Sequence, residues 1–158
     1  MSETSHNNLE QIVECFKGHL GGSLVSVVLF GSRARGEAGE GSDWDFFIIA
    51  NDLPAKPFKR VLYVRKPLAG QFYEKISIIA KTPEEVLSAF PSLFLDLSLD
   101  GIVLFDKDGF FETLRRRIRR IISEAGIARK RDNGEYYWEW KEPPKRGWEI
   151  TWNGYREL

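Results

Sequence analysis

The sequence predicts an α/β (α+β) fold in which helices flank a mixed β-sheet. Two observations predict this class. Short apolar runs alternate with segments of helical periodicity up to about residue 126, and 158 residues are enough for one domain with its own core. The remaining tail is rich in tryptophan and tyrosine. We therefore expect a domain at 1–126 and an aromatic-rich C-terminal extension, a hairpin plus a tail, at 127–158.

The first part of the chain predicts two helices and two buried strands. Apolar residues recur at helical spacing near the N-terminus, and the glycines of "GHLGG" end that helix. "SLVSVVLF" and "DWDFFIIA" are short and apolar, and they predict buried strands. Three prolines interrupt the next stretch, where only a short helix around "FKRVLYV" is predicted. These elements cover about 8–20, 23–30, 43–50 and 58–64, and the apolar stripe of the first is Leu9, Ile12, Val13, Phe16 and Leu20.

The next segment predicts a strand, a capped helix and a further strand. "QFYEKISIIAK", at 71–81, is the third predicted strand. Thr82 can cap the helix that follows, Pro83 suits its first turn and Glu85 completes a capping box. We expect this helix to continue through "LSLDG" and to bend or break at Pro91. "IVLFD" then predicts a fourth short strand.

A long helix and a hairpin are predicted for the rest of the chain. "FFETLRRRIRRIISEAG" places apolar residues on one side and five arginines around the remainder, with Gly126 as the stop. Asn133-Gly134 lies between two alternating runs, which is a strong hairpin signal. The segment "PPKRGWEITWNGYREL" predicts no clear element. The apolar side of the long helix consists of Phe111, Leu114, Ile118, Ile121 and Ile122.

Composition excludes several classes of protein. Lys+Arg and Asp+Glu both number 23, so the net charge is zero and no overall positive field for nucleic acid is present. Cys15 is the only cysteine, which excludes an internal disulfide or a zinc site of several thiolates and predicts a reducing compartment. Neither a signal peptide nor a run of about 18 apolar residues is visible. We expect a cytoplasmic protein with no membrane partner.

The stretch "LFGSRARGEAGEGSDWDFFIIA", at 29–50, carries the candidate chemistry. Asp43 and Asp45 are separated by one residue, so on a strand both carboxylates leave the same face. Two such carboxylates repel each other unless a cation lies between them. Mg²⁺ suits the pair, with Mn²⁺ as the alternative, because it takes hard oxygen ligands and shares its remaining positions with water and substrate phosphate.

The Gly-Ser turn ten residues before these aspartates supplies complementary groups. Gly31 lets the backbone approach a ligand closely, while backbone N–H groups and the Ser32 hydroxyl can donate to phosphate oxygens. Arg33 and Arg35 can neutralise charge on a triphosphate. The turn and the paired carboxylates together predict phosphate chemistry.

"FGSRARGEAGEGSDWDFFII" resembles the signature of the polymerase-β-type nucleotidyltransferase superfamily, a Gly-Ser followed some ten residues later by Asp-x-Asp. "GSRARG", "GSDWD" and the short chain are most similar to the minimal nucleotidyltransferases, many of which are antitoxins paired with a helical HEPN toxin. The resemblance implies that Gly31 and Ser32 hold the triphosphate of ATP or another NTP, and that Asp43 and Asp45 bind two magnesium ions. It implies transfer of NMP, with AMP favoured, to a hydroxyl group such as a tyrosine of a HEPN protein.

The sequence departs from this pattern at one position. Active members usually carry a third carboxylate on a later strand, whereas "EKISIIAK" has Ser77 there. Serine is a poor magnesium ligand or base beside a carboxylate. Glu74 is expected to face away from Ser77 by strand parity, and Asp96 and Asp100 could approach only if their helix packs over the site. The departure therefore weakens the case for turnover more than the case for binding a Mg-nucleotide.

Three functions remain open at this point. The first is the nucleotidyltransferase, and the second is a catalytically weakened module that neutralises a partner protein by contact. The third is a nucleic-acid binder, which zero net charge disfavours. Tyr136, Trp138 and Trp140 share one face of the predicted hairpin. They cover the domain's own core, which we favour, or anchor a partner protein, or, as the least favoured alternative, stack nucleobases. The arginines of "RRRIRR" are expected to form a solvated helix face, and the oligomeric state is left open.

Overall fold

A mixed four-stranded sheet forms the centre of the protein and confirms the predicted fold class. The computed structural model describes residues 2–158. The helices are α1 Glu3–Leu20, α2 Gly31–Ala34, α3 Pro57–Arg65, α4 Pro83–Ser88, α5 Leu93–Asp100 and α6 Phe110–Ala125. The strands are β1 Leu24–Phe30, β2 Trp44–Ala50, β3 Ile76–Lys81, β4 Ile102–Asp106, β5 Ile127–Asp132, β6 Glu135–Trp140, β7 Trp148–Thr151 and β8 Gly154–Glu157. Over residues 2–158, none of the helices has the length and apolar character needed to span a membrane.

The strand order of the central sheet is β3-β2-β1-β4. β1 runs antiparallel to β2 and β4, whereas β2 and β3 are parallel. In this register Asp45 of β2 lies between Phe30, the last residue of β1, and Ser77 of β3. The end of β1 and the beginnings of β2 and β3 therefore meet at one end of the sheet, which we call the site end.

The core lies on both faces of this sheet, because side chains of a strand alternate between faces. Phe46 and Ile48 pack in the cluster that includes α1 on one face. Phe47 and Ile49 pack in the cluster that includes α5 and α6 on the other face. By the same alternation, Asp45 belongs to the face that α5 and α6 cover.

Most predicted elements are confirmed, with differences in extent. The first helix begins earlier than predicted, at Glu3, because the Ser2 hydroxyl accepts a hydrogen bond from the Ser5 N–H at 3.3 Å. β3 is shorter than predicted because a turn at 69–71 and a bend at Glu74 precede it. The capping box of Thr82 is present, and the helix after it is broken around Pro91 into α4 and α5.

The tail contains the predicted hairpin, β5–β6, and a second hairpin, β7–β8, that was not predicted. Trp152 in the second turn is 8% exposed and donates its Nε1–H to the carbonyls of Val86 and Ala89, at 2.8 and 2.9 Å. Its ring packs against Phe90 and Phe94. The tail therefore adds to the core cluster on the α5 and α6 face.

The prediction of a solvated arginine face on α6 is only partly right. Arg120 is exposed and pairs with Glu124 at 3.6 Å. Arg115 instead donates to the carbonyl of Gly101, and Arg119 donates to the carbonyl of Ser98 at 3.0 Å. These two arginines tie α6 to the end of α5.

Candidate active site

The Gly-Ser turn lies directly against the second aspartate. Gly31 follows β1 with φ +74°, a conformation that favours glycine. A Cβ atom at Gly31 would overlap Oδ2 of Asp45 and lie 3.2 Å from its Cγ. A side chain at this position would strain the backbone and displace the Asp45 carboxylate, and its absence allows the turn that begins α2 to contact that carboxylate.

The two aspartates form a pair of like charges at the site end. Asp45 is half-buried and Asp43 is exposed. Burial raises the pKa of Asp45 above its ordinary value, and the charge of Asp43 raises it further. The Ser77 hydroxyl, Arg35 and Arg33 act in the opposite direction. Over residues 2–158, no cationic side chain forms an ion pair with Asp43 or Asp45, so the pair has charge left to bind a cation.

Ser77 occupies the position opposite Asp45 in the parallel pair of strands. Glu74 lies before β3 and accepts a hydrogen bond from Nδ2 of Asn8 at 2.5 Å. Asn8 belongs to α1, which packs on the face opposite to Asp45. Glu74 is therefore directed away from the aspartates, as expected, but the cause is its contact with α1 and not its place in a strand.

Arg33 joins the turn to the segment before β2. Its Nε and Nη2 donate to the carbonyl of Ser42, at 3.2 and 2.8 Å. Its guanidinium lies over the ring of Trp44, 4.3 Å from the centroid. Trp44 is 1% exposed, so Arg33 anchors the residues on both sides of Asp43 to the core.

Arg35 lies at the end of the same turn and has two carboxylate neighbours. Its Nε donates to Glu37 at 3.0 Å, and its Nη1 lies 3.5 Å from Asp100 of α5. Asp100 also accepts two hydrogen bonds from Arg129, at 2.5 and 2.7 Å, and Asp96 lies 3.3 Å from the same guanidinium. Asp96 and Asp100 are therefore engaged by arginine and do not replace the missing third carboxylate.

The sequence interpretation missed the connection between the tail and this turn. Tyr136 of β6 donates its hydroxyl to Glu37 at 2.5 Å, and Arg131 of β5 lies 3.4 Å from the same carboxylate. The one signal in the sequence was the alternation that puts Tyr136 and Arg131 on one face of the hairpin. Nothing local indicated which part of the domain that face contacts.

Comparison with known proteins adds information on the family. Residues 9–128 match the family model described as "Nucleotidyltransferase domain". A relative in Methanocaldococcus jannaschii, which carries the provisional name protein adenylyltransferase, is 32% identical over 127 residues. The match covers 77% of this chain and 86% of the relative.

Solved structures share the fold. A toxin–antitoxin complex with AMP-PNP matches with a TM-score of 0.55 and 18% identity, over 72% of this chain and 86% of that chain. A tri-AMPylated Shewanella oneidensis HEPN toxin in complex with an MNT antitoxin matches with a TM-score of 0.51 and 16% identity. That match covers 75% of this chain and 86% of the other chain. At these identities the likeness concerns the fold.

Proposed function

This chain belongs to the nucleotidyltransferase domain family, and we propose that it transfers AMP from ATP to a hydroxyl group of a partner protein. The observation that carries the proposal is the contact between the Gly31 turn and Asp45, beside a second carboxylate that has no cationic partner within residues 2–158. The name of the Methanocaldococcus jannaschii relative supports adenylyl transfer to protein. The AMPylated HEPN toxin in a similar complex supports a HEPN-type partner and an antitoxin role.

The carboxylate pair suits a divalent cation, Mg²⁺ or Mn²⁺. Asp43 and Asp45 are hard oxygen donors, and a cation between them would relieve the repulsion that raises the pKa of Asp45. When bound, such an ion would neutralise triphosphate charge and stabilise negative charge at the α-phosphate. Within residues 2–158 there is no group of three or more His, Cys, Asp or Glu side chains arranged to hold a metal. We therefore propose that these two aspartates and the nucleotide phosphates share the ion.

The residues of the turn are proposed to bind the triphosphate. Gly31 brings the backbone close to Asp45, and the Ser32 hydroxyl and the neighbouring N–H groups can donate to phosphate oxygens. Arg35 supplies a cation at the end of the turn. Arg33, held on Ser42 and Trp44, is proposed to fix the segment that carries Asp43.

A second candidate, binding without turnover, is favoured by Ser77. With serine opposite Asp45, residues 2–158 place no third carboxylate beside Asp43 and Asp45 to accept the proton of the acceptor hydroxyl. The aromatic face of the tail, which could have served as a contact surface, is directed inward. Trp138 donates to Asp96 at 3.1 Å, and Trp140 packs on Trp148. We therefore keep transfer as the proposal and expect the partner to supply the missing group.

Label transfer from α-labelled ATP with Mg²⁺ tests the proposal in an extract of the source organism. We expect wild type to label one protein band and Asp43→Ala/Asp45→Ala to label none, because the pair would hold the ion. Asp132→Ala, an exposed position in the hairpin, is the matched control and should retain labelling. Labelling by the folded double variant would contradict the proposal. No labelling by wild type that still binds Mg·ATP would favour binding without turnover.

A further inference from the structure

The β5–β6 hairpin contacts the active-site turn through two shared carboxylates. Asp100 lies between Arg129 of the hairpin and Arg35 of the turn. Glu37 accepts from Tyr136 of the hairpin and from Arg35. Arg35 is therefore connected to the tail on two sides, and a carboxylate lies in the middle of each connection. We call Arg35, Asp100, Arg129, Glu37 and Tyr136 the arginine bridge.

The Asp100 side of the arginine bridge is shielded from solvent. The side chains of Asp100 and Arg129 are 10% and 14% exposed. The two carboxylate oxygens of Asp100 accept hydrogen bonds from the two Nη atoms of Arg129. This contact raises the pKa of Arg129 above its ordinary value. Such a bidentate pair fixes the direction of both side chains. The carboxylate that Arg35 meets therefore has one orientation, which the hairpin determines.

The Glu37 side is fixed by an aromatic residue. The Tyr136 hydrogen bond lowers the pKa of Glu37, and Arg35 lowers it further, so Glu37 stays ionised between them. The Tyr136 ring has the guanidinium carbons of Arg35, Arg129 and Arg131 within 4.8, 4.5 and 5.1 Å of its centroid. Cations within about 6 Å of a ring centroid are attracted by the ring. Tyr136 thus contacts Arg35 directly and also orients Glu37, the carboxylate to which Arg35 donates.

Arg35 directly follows α2, whose first residue, Gly31, contacts Asp45. Its backbone N–H donates to the carbonyl of Gly31 at 3.2 Å, and Gly31 contacts Asp45. An arginine side chain loses considerable rotamer freedom when it is held in one geometry. If contacts in the free protein already hold the Arg35 side chain, nucleotide binding does not have to overcome this loss of rotamer freedom, because the guanidinium is ordered before the nucleotide binds.

We propose that Arg129 and Tyr136 are positioning residues of the nucleotide site, which hold Arg35 in place for the triphosphate of an NTP. This inference rests on the proposed function of the site. The C-terminal hairpin then contributes to the nucleotide site through Arg129 and Tyr136.

Calorimetric titration of the full chain with Mg·ATP tests this inference. Arg129→Gln and Tyr136→Phe should each weaken binding about fivefold, the size of a coupling between neighbouring residues. Lys130→Gln and Tyr137→Phe change the neighbouring exposed side chains of the same strands and should bind as wild type does. In an Arg35→Gln background, Arg129→Gln should cause no further loss, because its effect passes through Arg35.

The inference would be overturned if Arg129→Gln weakened Mg·ATP binding equally in the wild-type and Arg35→Gln backgrounds. It would also be overturned if Arg129→Gln and Tyr136→Phe both bound Mg·ATP with wild-type affinity. Hydrogen–deuterium exchange of the peptide 31–38 without nucleotide gives an independent reading. We expect faster exchange in Arg129→Gln and Tyr136→Phe than in their controls, and unchanged exchange would also overturn the inference. A wild-type chain that does not bind Mg·ATP would overturn the proposed function itself, which separates the two failures.

Discussion

Two pairs of aspartates, Asp43 with Asp45 and Asp96 with Asp100, are surrounded in opposite ways by the structure. Asp43 and Asp45 lie at the site end without an ion pair to any residue within 2–158, and the pKa of Asp45 is raised by burial and by its neighbour. Asp96 and Asp100 lie on α5 and both meet the guanidinium of Arg129. From the sequence, Asp43 and Asp45 are the predicted metal ligands, and Asp96 and Asp100 could contribute a carboxylate only if their helix packs over the site.

We propose that this difference distinguishes a ligand-binding carboxylate pair from a structural one. A protein gains little stability from holding two like charges together without a counter-charge, so such a pair indicates a site that awaits a ligand. A pair saturated by arginine stabilises the fold and has no charge left for a metal. The comparison can be tested by removing one charge from each pair and measuring activity and stability separately.

Asp45→Asn should produce the largest effect, and it should fall on activity. We expect adenylyl transfer to fall by about 10³-fold, because one of two proposed ligands for the ion is lost. The free energy of unfolding should stay within about 0.5 kcal/mol of wild type or rise, since a carboxylate with a raised pKa is removed. Transfer assays and urea unfolding measure the two quantities.

Asp132→Asn provides the control, because it removes one exposed carboxylate from the hairpin. It should leave adenylyl transfer unchanged and alter the free energy of unfolding by no more than about 0.5 kcal/mol. A large loss of stability in Asp45→Asn with activity retained would show that Asp45 resembles the structural pair, and the comparison would fail.

Asp100→Asn should reduce stability much more than Asp45→Asn does, because Asp100 forms ion pairs with two arginines. It removes the charged partner that Arg129 and Arg35 share, at a position where the Asp100 side chain is largely buried. We expect the free energy of unfolding to fall by about 3 kcal/mol, as for other broken buried ion pairs. Urea unfolding with the slope held fixed measures the change. A loss below about 0.5 kcal/mol would mean that Asp100 is as dispensable to the fold as an exposed residue.

Ser77→Asp sharpens the comparison by adding a third carboxylate opposite Asp45. Without a divalent cation the melting temperature should fall, because a further like charge joins the pair. With Mg²⁺ or Mn²⁺ it should recover, and transfer should rise about tenfold if the new group accepts the acceptor's proton. Ser77→Asn, of the same size without the charge, is the matched control. Equal behaviour of the two variants would show that Ser77 is not the missing position.

Local patterns were sufficient to predict much of the sheet and the proximity of the Gly-Ser turn to Asp45. The apolar runs of β1 and β2 are continuous because both faces of these strands are buried. The Asn133-Gly134 turn was recognisable because both residues adopt positive φ, +49° and +85°. Gly31 and Asp45 are close because β1 and β2 are neighbouring strands of the sheet. The segment 29–50 was therefore enough to predict that the turn lies beside the carboxylate.

Long-range contacts account for what the sequence did not predict. The β7–β8 hairpin is held by Trp152, which donates to carbonyls of α4 and its end, more than 60 positions earlier. The link between Asp100 and Arg129 joins residues 29 positions apart. No spacing rule within a helix or strand connects such residues, so their contacts could not be read from local periodicity.

Glu85 tests whether pairing with arginine also makes a carboxylate structural when it lies far from the aspartates. This prediction has the smallest expected effect. Arg60 donates two hydrogen bonds to Glu85, at 2.6 and 2.9 Å, and lowers the pKa of Glu85 to about 2 from 4.5. A lowered carboxyl pKa stabilises the fold above the unfolded pKa, and this stability is lost as the pH falls toward 2. Because Glu85 is 40% exposed, we expect about 1 kcal/mol after screening. Glu85→Gln should remove this acid-dependent loss between pH 4.5 and 2, and an unchanged pH profile would show that pairing with arginine does not by itself make a carboxylate structural.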